Sequence, residues 1–517
     1  MALMFRKALG FLQRPSPVVF LTLIVALYLV LCGALFMLWL PPQPDEDLFG
    51  EPGWNLLHEG RLVSHTIAGM EGGVFWQPPF YFVVLAPVFS IAGYSIAVLR
   101  GFSIAVGCVA LCLLYLLGRT SVGERPARLA TFLAALHPQF VLYSKLGRMD
   151  GLCVMLILLS GLLSIHSFAR ASYRSWFAAG CVAALAVLTH PLGLAAPLAA
   201  CLLLTIKRRA LPLPWKTALA VFLSPVLLAV MIWGIVVLQN SESFREQIAF
   251  QFMRKDHTVT ASMWAFFRRL EYFPVAVPLI GLALWGSIRN VLRSATLAAG
   301  PLYCSVIFLT LMAVILPKSE VSYNLYLIPW YLLIAGGVMV SLKQRGSAPW
   351  LHVLALDLII LFVTNALLFH GYLIHESHRE RERGPDYDSL TQTVSRYISP
   401  GASVLAIGSP SLYWGLRETR SDVRYVADVF LNRRRALEVM STIDFVVMCR
   451  AFDPANDQAW YRGEFGRLDS LCNAVGRRLE RSTEVGNPHR FGYSASILRV
   501  LPSGSSIEER GGHLSRE

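Results

Sequence analysis

Three consecutive carboxylates, Asp45, Glu46 and Asp47, follow Pro41-Pro42-Gln43-Pro44 directly after the first long apolar run of this chain. A charge at the edge of an apolar segment is costly unless it is hydrated or used. A carboxylate so placed can take the proton of an attacking hydroxyl, which is general-base work; a hydrated loop is the plain alternative. An amphipathic segment comes next, Gly53-Trp54-Asn55-Leu56-Leu57-His58-Glu59-Gly60, and then Trp76-Gln77-Pro78-Pro79-Phe80-Tyr81.

What must position these groups is a bundle of apolar helices. The chain is 55% hydrophobic and only 15% charged, more apolar surface than a water-soluble fold can hide. Spanning hydrocarbon takes about 20 apolar residues, and such segments recur from Pro17 to about Tyr372. Eleven spans are expected, over 17–40, 96–118, 127–144, 150–169, 175–190, 192–206, 216–238, 273–289, 297–316, 324–342 and 349–371. The run from Val18 to Leu40 is longer than a signal-peptide core and lacks a small-residue cleavage site, so it is read as a retained first helix. Pro78 to Ala92 is too short for a comfortable span and opens on a Pro-Pro pair, which suits an interfacial helix on the outer leaflet. If it crossed, the count would be twelve.

The net charge of +13 is unevenly spread: from Ile374 onward there are 20 Arg, no Lys and 19 acidic residues, so nearly all the basic excess lies in the apolar part. With the N-terminus inside, 16 basic residues between Arg6 and Arg345 face the cytoplasm against the single acid Glu124. That asymmetry is the positive-inside pattern of a multi-pass protein of a bacterial-type inner (plasma) membrane. Nucleic acid is not needed to explain it. The opposite, periplasmic or extracellular face receives the acidic loop, the loop from Gln239 to Tyr272 and the C-terminal domain.

The expected organisation is a membrane module over 1–372, with a first outer loop over 41–95. A small soluble α/β domain over 373–502 and a disordered tail over 503–517 follow. Short β-type runs at Ser403–Ile407, Val423–Ala427 and Ile443–Met448, with a helix-like Leu431–Ser441 between them, carry the α/β assignment. The glycines form no dinucleotide fingerprint or phosphate loop. Seven of the nine cysteines lie in apolar segments; Cys449 and Cys472 fall in the tail, where a disulfide is left open.

From residue 17 to about 345 the chain resembles the GT-C glycosyltransferases, in the branch of the protein O-mannosyltransferases and the lipid A aminoarabinose transferases. The resemblance rests on Gln43-Pro44-Asp45-Glu46, on the aromatic-Gln-Pro-Pro stretch at 76–79 and on Leu99-Arg100. It continues through Tyr143-Ser144-Lys145-Leu146-Gly147-Arg148-Met149-Asp150, Leu188-Thr189-His190-Pro191, and Lys318 to Tyr323 ahead of Ile328-Pro329. It implies a polytopic GT-C fold whose catalytic base, the acid after the first span, is Asp45. Glu46 would orient the acceptor, bind a cation or stay a solvated spectator. Asp150 would be a second functional acid, with a helix cap or an ion pair to Arg148 or Lys145 as its alternative.

A departing lipid phosphate needs fixed cations in a water-poor setting. Arg100, Arg148, Arg254, Lys255 and Lys318 are the candidates, with snorkelling as their alternative; Tyr323 would add a hydroxyl or serve in an aromatic belt. The chain departs from the family pattern at Trp76 and Gln77, where relatives carry Glu-Lys, Asp-Lys or a His. A metal ligand and a phosphate-binding lysine are therefore in doubt, and Gln77 is kept as a substrate-binding candidate. His190 stands where many relatives have Lys, so a titratable imidazole replaces a fixed charge. His257 is the weak candidate for a metal ligand. A divalent metal is left open, and no other cofactor is expected.

The function expected is transfer of a hexosyl or pentosyl group, with inversion, from a polyprenyl-phosphate donor to the hydroxyl of a lipid, glycan or protein acceptor at the outer face. The alternatives are a flippase of lipid-linked sugars and a noncatalytic envelope assembly protein. Sugar and acceptor identity are left open.

Overall fold

The computed structural model describes residues 15–37, 44–64, 70, 72–206, 208, 211, 213–253, 275, 277–283, 324–344, 349–383, 387–407, 416, 423–425, 433–450, 466, 468–485 and 494–503. The chain divides into two compact units. One holds Asp45–Val63 and Gly72–His378 with the residues up to Leu40; the other holds Arg379–Glu517 with Pro41–Pro44 and Ser64–Glu71.

The first unit is helical: α1 (Pro17–Met37), α2 (Pro44–Glu59), α3 (Phe80–Ala92), α4 (Ile96–Ser121), α5 (Glu124–Leu136), α6 (Pro138–Ser144) and α7 (Met149–Arg170), then α8 (Tyr173–Val187) and a 3-10 turn at Pro191–Leu194. It continues with α9 (Ala195–Ile206), α10 (Trp215–Gln239), α11 (Ser241–Met253), α12 (Asn324–Gln344) and α13 (Pro349–Arg383). Among the described residues, four stretches are long and apolar enough to cross a membrane, Ile96–Ser121, Met149–Phe168, Trp215–Gln239 and Leu356–His375, and five shorter apolar helices accompany them. Val18, Leu227, Leu238 and Leu368 are each more than 60% exposed, an outward face that suits hydrocarbon. Where α8 and α10 meet, a Cβ on Gly180 would strike the Phe222 carbonyl, so a glycine lets the two backbones approach.

α3 has 13 residues, about 20 Å at 1.5 Å per residue, short of the roughly 30 Å of hydrocarbon. In three places the structure corrects the expected elements. The apolar run over 127–144 is two helices, because Pro138 has no N–H to continue α5. His137 caps the second of them, its Nδ1 accepting from Gln139 N at 3.2 Å. Its Nε2–H is thereby left to donate to the Tyr331 hydroxyl at 2.7 Å, while His370 Nε2 donates to the Leu136 carbonyl at 3.0 Å, one of the acceptors freed by the break. The stretch after Gln239, expected as loop, begins with α11. The acidic segment is not a loop either: it forms the first turn of α2, where negative charge suits the helix dipole.

The second unit contains α14 (Tyr387–Tyr397), α15 (Arg433–Thr442) and a five-stranded sheet of β1 (Val404–Ile407), β2 (Val423–Tyr425), β3 (Phe445–Arg450), β4 (Arg477–Val485) and β5 (Ser494–Pro502), in the order β2-β1-β3-β5-β4. β2, β1 and β3 are parallel; β5 and β4 are antiparallel additions. Alternation sends Val404, Ala406, Phe445 and Val447 to one face beneath Val394 and Ile398 of α14. It sends Leu405, Ile407, Val446 and Met448 to the other, beneath Ala436, Val439 and Met440 of α15.

β4 went unread in the sequence because its polar residues, Arg477-Arg478-Leu479-Glu480-Arg481, belong to an edge strand. Its Arg477 closes the end of α15, donating to the Met440, Ser441 and Ile443 carbonyls at 3.2, 3.0 and 2.6 Å. Cys472 is a free buried thiol, so the disulfide considered for it is not formed; the Cys449 side chain and the tail beyond 503 lie outside the described residues.

Candidate functional site

Several buried charges of the first unit gather around the N-terminal turn of α2. Glu46, for which acceptor guide, cation ligand and solvated spectator were the alternatives, is 0% exposed, which removes the last of them. Arg100, from the first turns of α4, grips it with two parallel bonds, Nε to Oε1 at 2.8 Å and Nη2 to Oε2 at 2.6 Å. A third donor, the backbone N–H of Gly147, reaches Oε1 at 2.9 Å from the turn between α6 and α7. Arg100 is likewise buried, at 4% exposure, and is no snorkelling side chain. The clamp ties α2, α4 and the α6–α7 turn together one residue after Asp45, whose own side chain lies outside the described residues.

Glycine at 147 is required by close approach, since a Cβ there would run into Leu99 of α4. Gly147→Ala is expected to cost about 1–3 kcal/mol, the usual penalty of overpacking, and to weaken the Gly147–Glu46 bond. Unfolding midpoints in detergent check this, and an unchanged midpoint would contradict it.

Arg148 donates from Nε to Asp150 Oδ2 at 2.9 Å, the ion pair that was the structural alternative for Asp150. Its guanidinium carbon also sits 5.4 Å from the ring centre of Phe49 on α2, a cation–π contact. Asp150, 1% exposed, stands in the first turn of α7 and within electrostatic reach of His190. His190 caps the 3-10 turn, its Nδ1 accepting from Leu192 N at 3.1 Å. That fixes the tautomer with the proton on Nε2, and the ring stacks on Tyr326 at 5.5 Å.

The strap from Gly73 to Gln77 is held by Gln247 of α11. Its Oε1 accepts from Phe75 N and Trp76 N at 2.8 and 3.1 Å, and its Nε2 donates to Gly73 O at 2.8 Å. Phe80 N then donates to Leu188 O at 2.9 Å, joining the strap to the end of α8. Gln77 is buried and Trp76 packs on Phe49 at 6.2 Å.

Thus Glu46, Arg100, Arg148, Asp150 and His190 converge in the first unit and Gln77 is buried in the strap, while Arg254, Lys255, His257, Lys318 and Tyr323 lie outside the described residues. Among the described residues no group of three or more His, Cys, Asp or Glu is placed to hold a metal. Gln247, Gly147, Phe49 and Tyr81 carry no role in the sequence reading, and Lys145 carries only that of a possible ion-pair partner for Asp150. Gly147 and Lys145 sat within the segment that carried the resemblance; a lone glutamine in a polar stretch gave no signal.

Lys145 is fully buried in the α6–α7 turn. Burial first, and the Arg100 charge second, lower its ammonium from 10.5 to about 8, against the attraction of Cys32 and Glu46. Between those values the unfolded chain binds the extra proton, so stability rises with pH across that window and the full penalty, about 3 kcal/mol, is present below it. Lys145→Met is expected to flatten the midpoint-against-pH profile between pH 8 and 10; a wild type already flat there would contradict the burial argument.

Residues 76–233, from the strap to most of α10, match the Dolichyl-phosphate-mannose-protein mannosyltransferase family, PMT_2. No curated protein matches the sequence. Among solved structures, ArnT from Cupriavidus metallidurans bound to undecaprenyl phosphate aligns with a TM-score of 0.61 at 14% identity, over 93% of this chain and 98% of that one. The Archaeoglobus fulgidus oligosaccharyltransferase in complex with zinc and sulfate aligns at 0.54 and 14% identity, over 88% and 69%. AglB from the same organism, with an inhibitory peptide and a dolichol-phosphate, aligns at 0.52 and 13%, over 94% and 75%. The chain has the GT-C fold and resembles the protein O-mannosyltransferases and the aminoarabinose transferases.

Proposed function

We propose that the protein is a membrane glycosyltransferase that moves a sugar, with inversion, from a polyprenyl-phosphate donor to an acceptor hydroxyl at the outer face of an inner (plasma) membrane. The observation that carries this reading is the buried clamp of Glu46 by Arg100 and Gly147 N. A desolvated ion pair is a poor way to gain stability but a good way to hold a geometry, and this one holds the residue after Asp45. Asp45 acts as general base, taking the acceptor proton as its oxygen attacks the anomeric carbon; the carbon–oxygen bond to phosphate breaks on the opposite face and the electron pair leaves with the phosphate. Glu46 is a positioning residue. Arg148, paired with Asp150, and His190, whose Nε2–H is a donor, are the described groups for the phosphate oxygens. The outlying candidates Arg254, Lys255, Lys318 and Tyr323 are assigned to the same anion, with Arg100 contributing field from its place on Glu46. The polyprenyl tail lies along the apolar helices, so the membrane stores the donor. ArnT with undecaprenyl phosphate and AglB with a dolichol-phosphate support a lipid-phosphate ligand for this fold.

The test supplies purified protein in lipid nanodiscs with radiolabelled polyprenyl-phosphate sugar and a membrane extract as acceptor. Release of polyprenyl phosphate together with label in a new product is expected. Movement of intact sugar-lipid between leaflets, with no bond broken, would instead identify a flippase.

A further inference from the structure

α7 runs for 22 residues from the turn that meets Glu46 to Arg170, about 33 Å at 1.5 Å per residue, enough to cross the roughly 30 Å of hydrocarbon. At that far end lie Arg170 in the last turn of α7 and Arg174 in the first turn of α8, both exposed. Lys216, in the first turn of α10, is exposed as well. Trp176 packs edge-on against Phe222 at 6.2 Å and Gly180 abuts both the Phe222 carbonyl and Pro225, so α8 and α10 run side by side in the same direction. Six residues back from Gly180 and from Phe222 stand Arg174 and Lys216, which places the two cations at one level.

The helix ends add to these charges. Ser172 and Pro214 precede α8 and α10 without a side-chain capping bond, so both helices turn N–H donors and positive dipole ends to the same surface. Among the described residues none of the three cations is within salt-bridge distance of a carboxylate; Glu124, toward the same end, is held by Arg119 at 3.2 Å and Arg128 at 2.6 Å. Trp176 supplies an independent sign. It is 0% exposed, yet its Nε1–H has no hydrogen-bond partner among the described residues, and native structures keep few such groups. Side chains of a helix lean toward its N-terminus, which brings this buried donor toward the level of Arg174.

Cations, helix N-termini and a spare N–H together complement an anion, and the wall beside them says what that anion is attached to. Tyr173 and Phe177 of α8 and Leu227, Leu228 and Met231 of α10 are exposed, an apolar surface that continues from the charged end into the hydrocarbon. A ligand that satisfies both has a phosphate head and acyl tails. A soluble phosphate would leave the wall bare, and a zwitterionic lipid would bring no net charge to three cations. We propose that the adjoining ends of α7, α8 and α10 bind the headgroup of an anionic phospholipid in the leaflet opposite the Glu46 clamp. Arg170, Arg174 and Lys216 supply the charge, and Trp176 donates to a phosphate or ester oxygen. The site is separated from the Glu46 clamp by the length of α7, so it stands independently of the sugar-transfer reading.

The test measures binding to delipidated full-length protein in detergent by native mass spectrometry. The probes are phosphatidylglycerol, phosphatidylcholine with the same acyl chains, and glycerol phosphate. Phosphatidylglycerol is expected to bind about tenfold or more tightly than phosphatidylcholine, as two or three interfacial cations would provide, and glycerol phosphate is expected not to bind at the same concentration. Arg174→Gln/Lys216→Gln should weaken phosphatidylglycerol about tenfold or more, and Trp176→Phe, which keeps the aromatic packing and removes the N–H, about 3- to 10-fold. The charge-keeping pair Arg174→Lys/Lys216→Arg should retain binding, and so should Arg119→Gln/Arg125→Gln, which removes two charges elsewhere on the same face. Equal binding of the two lipids would overturn the site, and so would an equal loss in the Arg119/Arg125 pair, which would mark a diffuse charge effect. Glycerol phosphate binding as tightly as the lipid would replace the phospholipid with a soluble anion. Unfolding midpoints are recorded for every variant; if the Gln pair is destabilised, the charge-keeping pair decides, and its loss of phosphatidylglycerol would overturn the proposal.

Discussion

Asp45→Asn is expected to lower sugar transfer about 10²- to 10⁴-fold, the share that a positioned general base contributes, while donor binding and folding persist. The amide keeps the size of the carboxylate but cannot take the acceptor's proton. The loss of one negative charge in the first turn of α2 costs only about 0.3–1 kcal/mol through the helix dipole, too little to unfold the protein. Single-turnover transfer of labelled sugar separates the steps: the chemical rate falls and the affinity for polyprenyl-phosphate sugar stays. The base role is lost if Asp45→Asn keeps its rate within threefold of the wild type. A pH–rate profile adds a second check, since the rising acid limb that a carboxylate base produces should vanish in the variant.

The second large effect is on stability. Glu46→Leu leaves Arg100, 4% exposed, without the Glu46 carboxylate, and Arg100→Leu leaves Glu46, 0% exposed, without the guanidinium. Breaking one side of a buried pair typically costs about 3–5 kcal/mol, because the surviving charge is desolvated without compensation. Each single variant is therefore expected to unfold at distinctly lower temperature in detergent. The double variant Glu46→Leu/Arg100→Leu should recover most of the loss, since apolar replacements of both partners are often neutral, although Gly147 N is left without its acceptor. The double variant is nonetheless expected to be slow in transfer: it folds, but the turn bearing Asp45 is no longer pinned to α4 and the α6–α7 turn. Single variants as stable as the wild type would remove the argument that the clamp holds this turn, and a stable double variant with full activity would remove Glu46 as a positioning residue.

How far the residues themselves reveal such a site differs from one member to the next. Asp45, Glu46, Arg148 and Asp150 stand out as charges at the ends of apolar runs, where hydropathy alone makes them conspicuous. The role of Glu46 does not. A carboxylate beside Asp45 reads equally as cation ligand, acceptor guide or hydrated bystander, and only its partners 54 and 101 residues away decide that it is a buried brace. Gln247 is a stronger case: it holds a strap more than 170 residues earlier through three bonds to backbone atoms, and backbone partners impose no residue type that a sequence could display. The β4 strand was hidden for a different reason, since an edge strand is selected for polar, charged side chains and so does not look like β structure.

The sequence by itself determined the recurrence of apolar helices, the shortness of α3, the three runs that become β1, β2 and β3, and the presence of acids and cations at the ends of the apolar runs. Those features are local, written in runs of about 20 residues or in alternation along a strand, so the chain displays them before it folds. The tertiary structure decided that one apolar run is split at His137 and Pro138, that Arg100 belongs to Glu46 and Arg148 to Asp150, and that Gln247 holds the strap ahead of α3. These are pairings between distant segments, chosen when desolvated charges and N–H groups must each find a partner in the packed interior, and no periodicity along the chain encodes them.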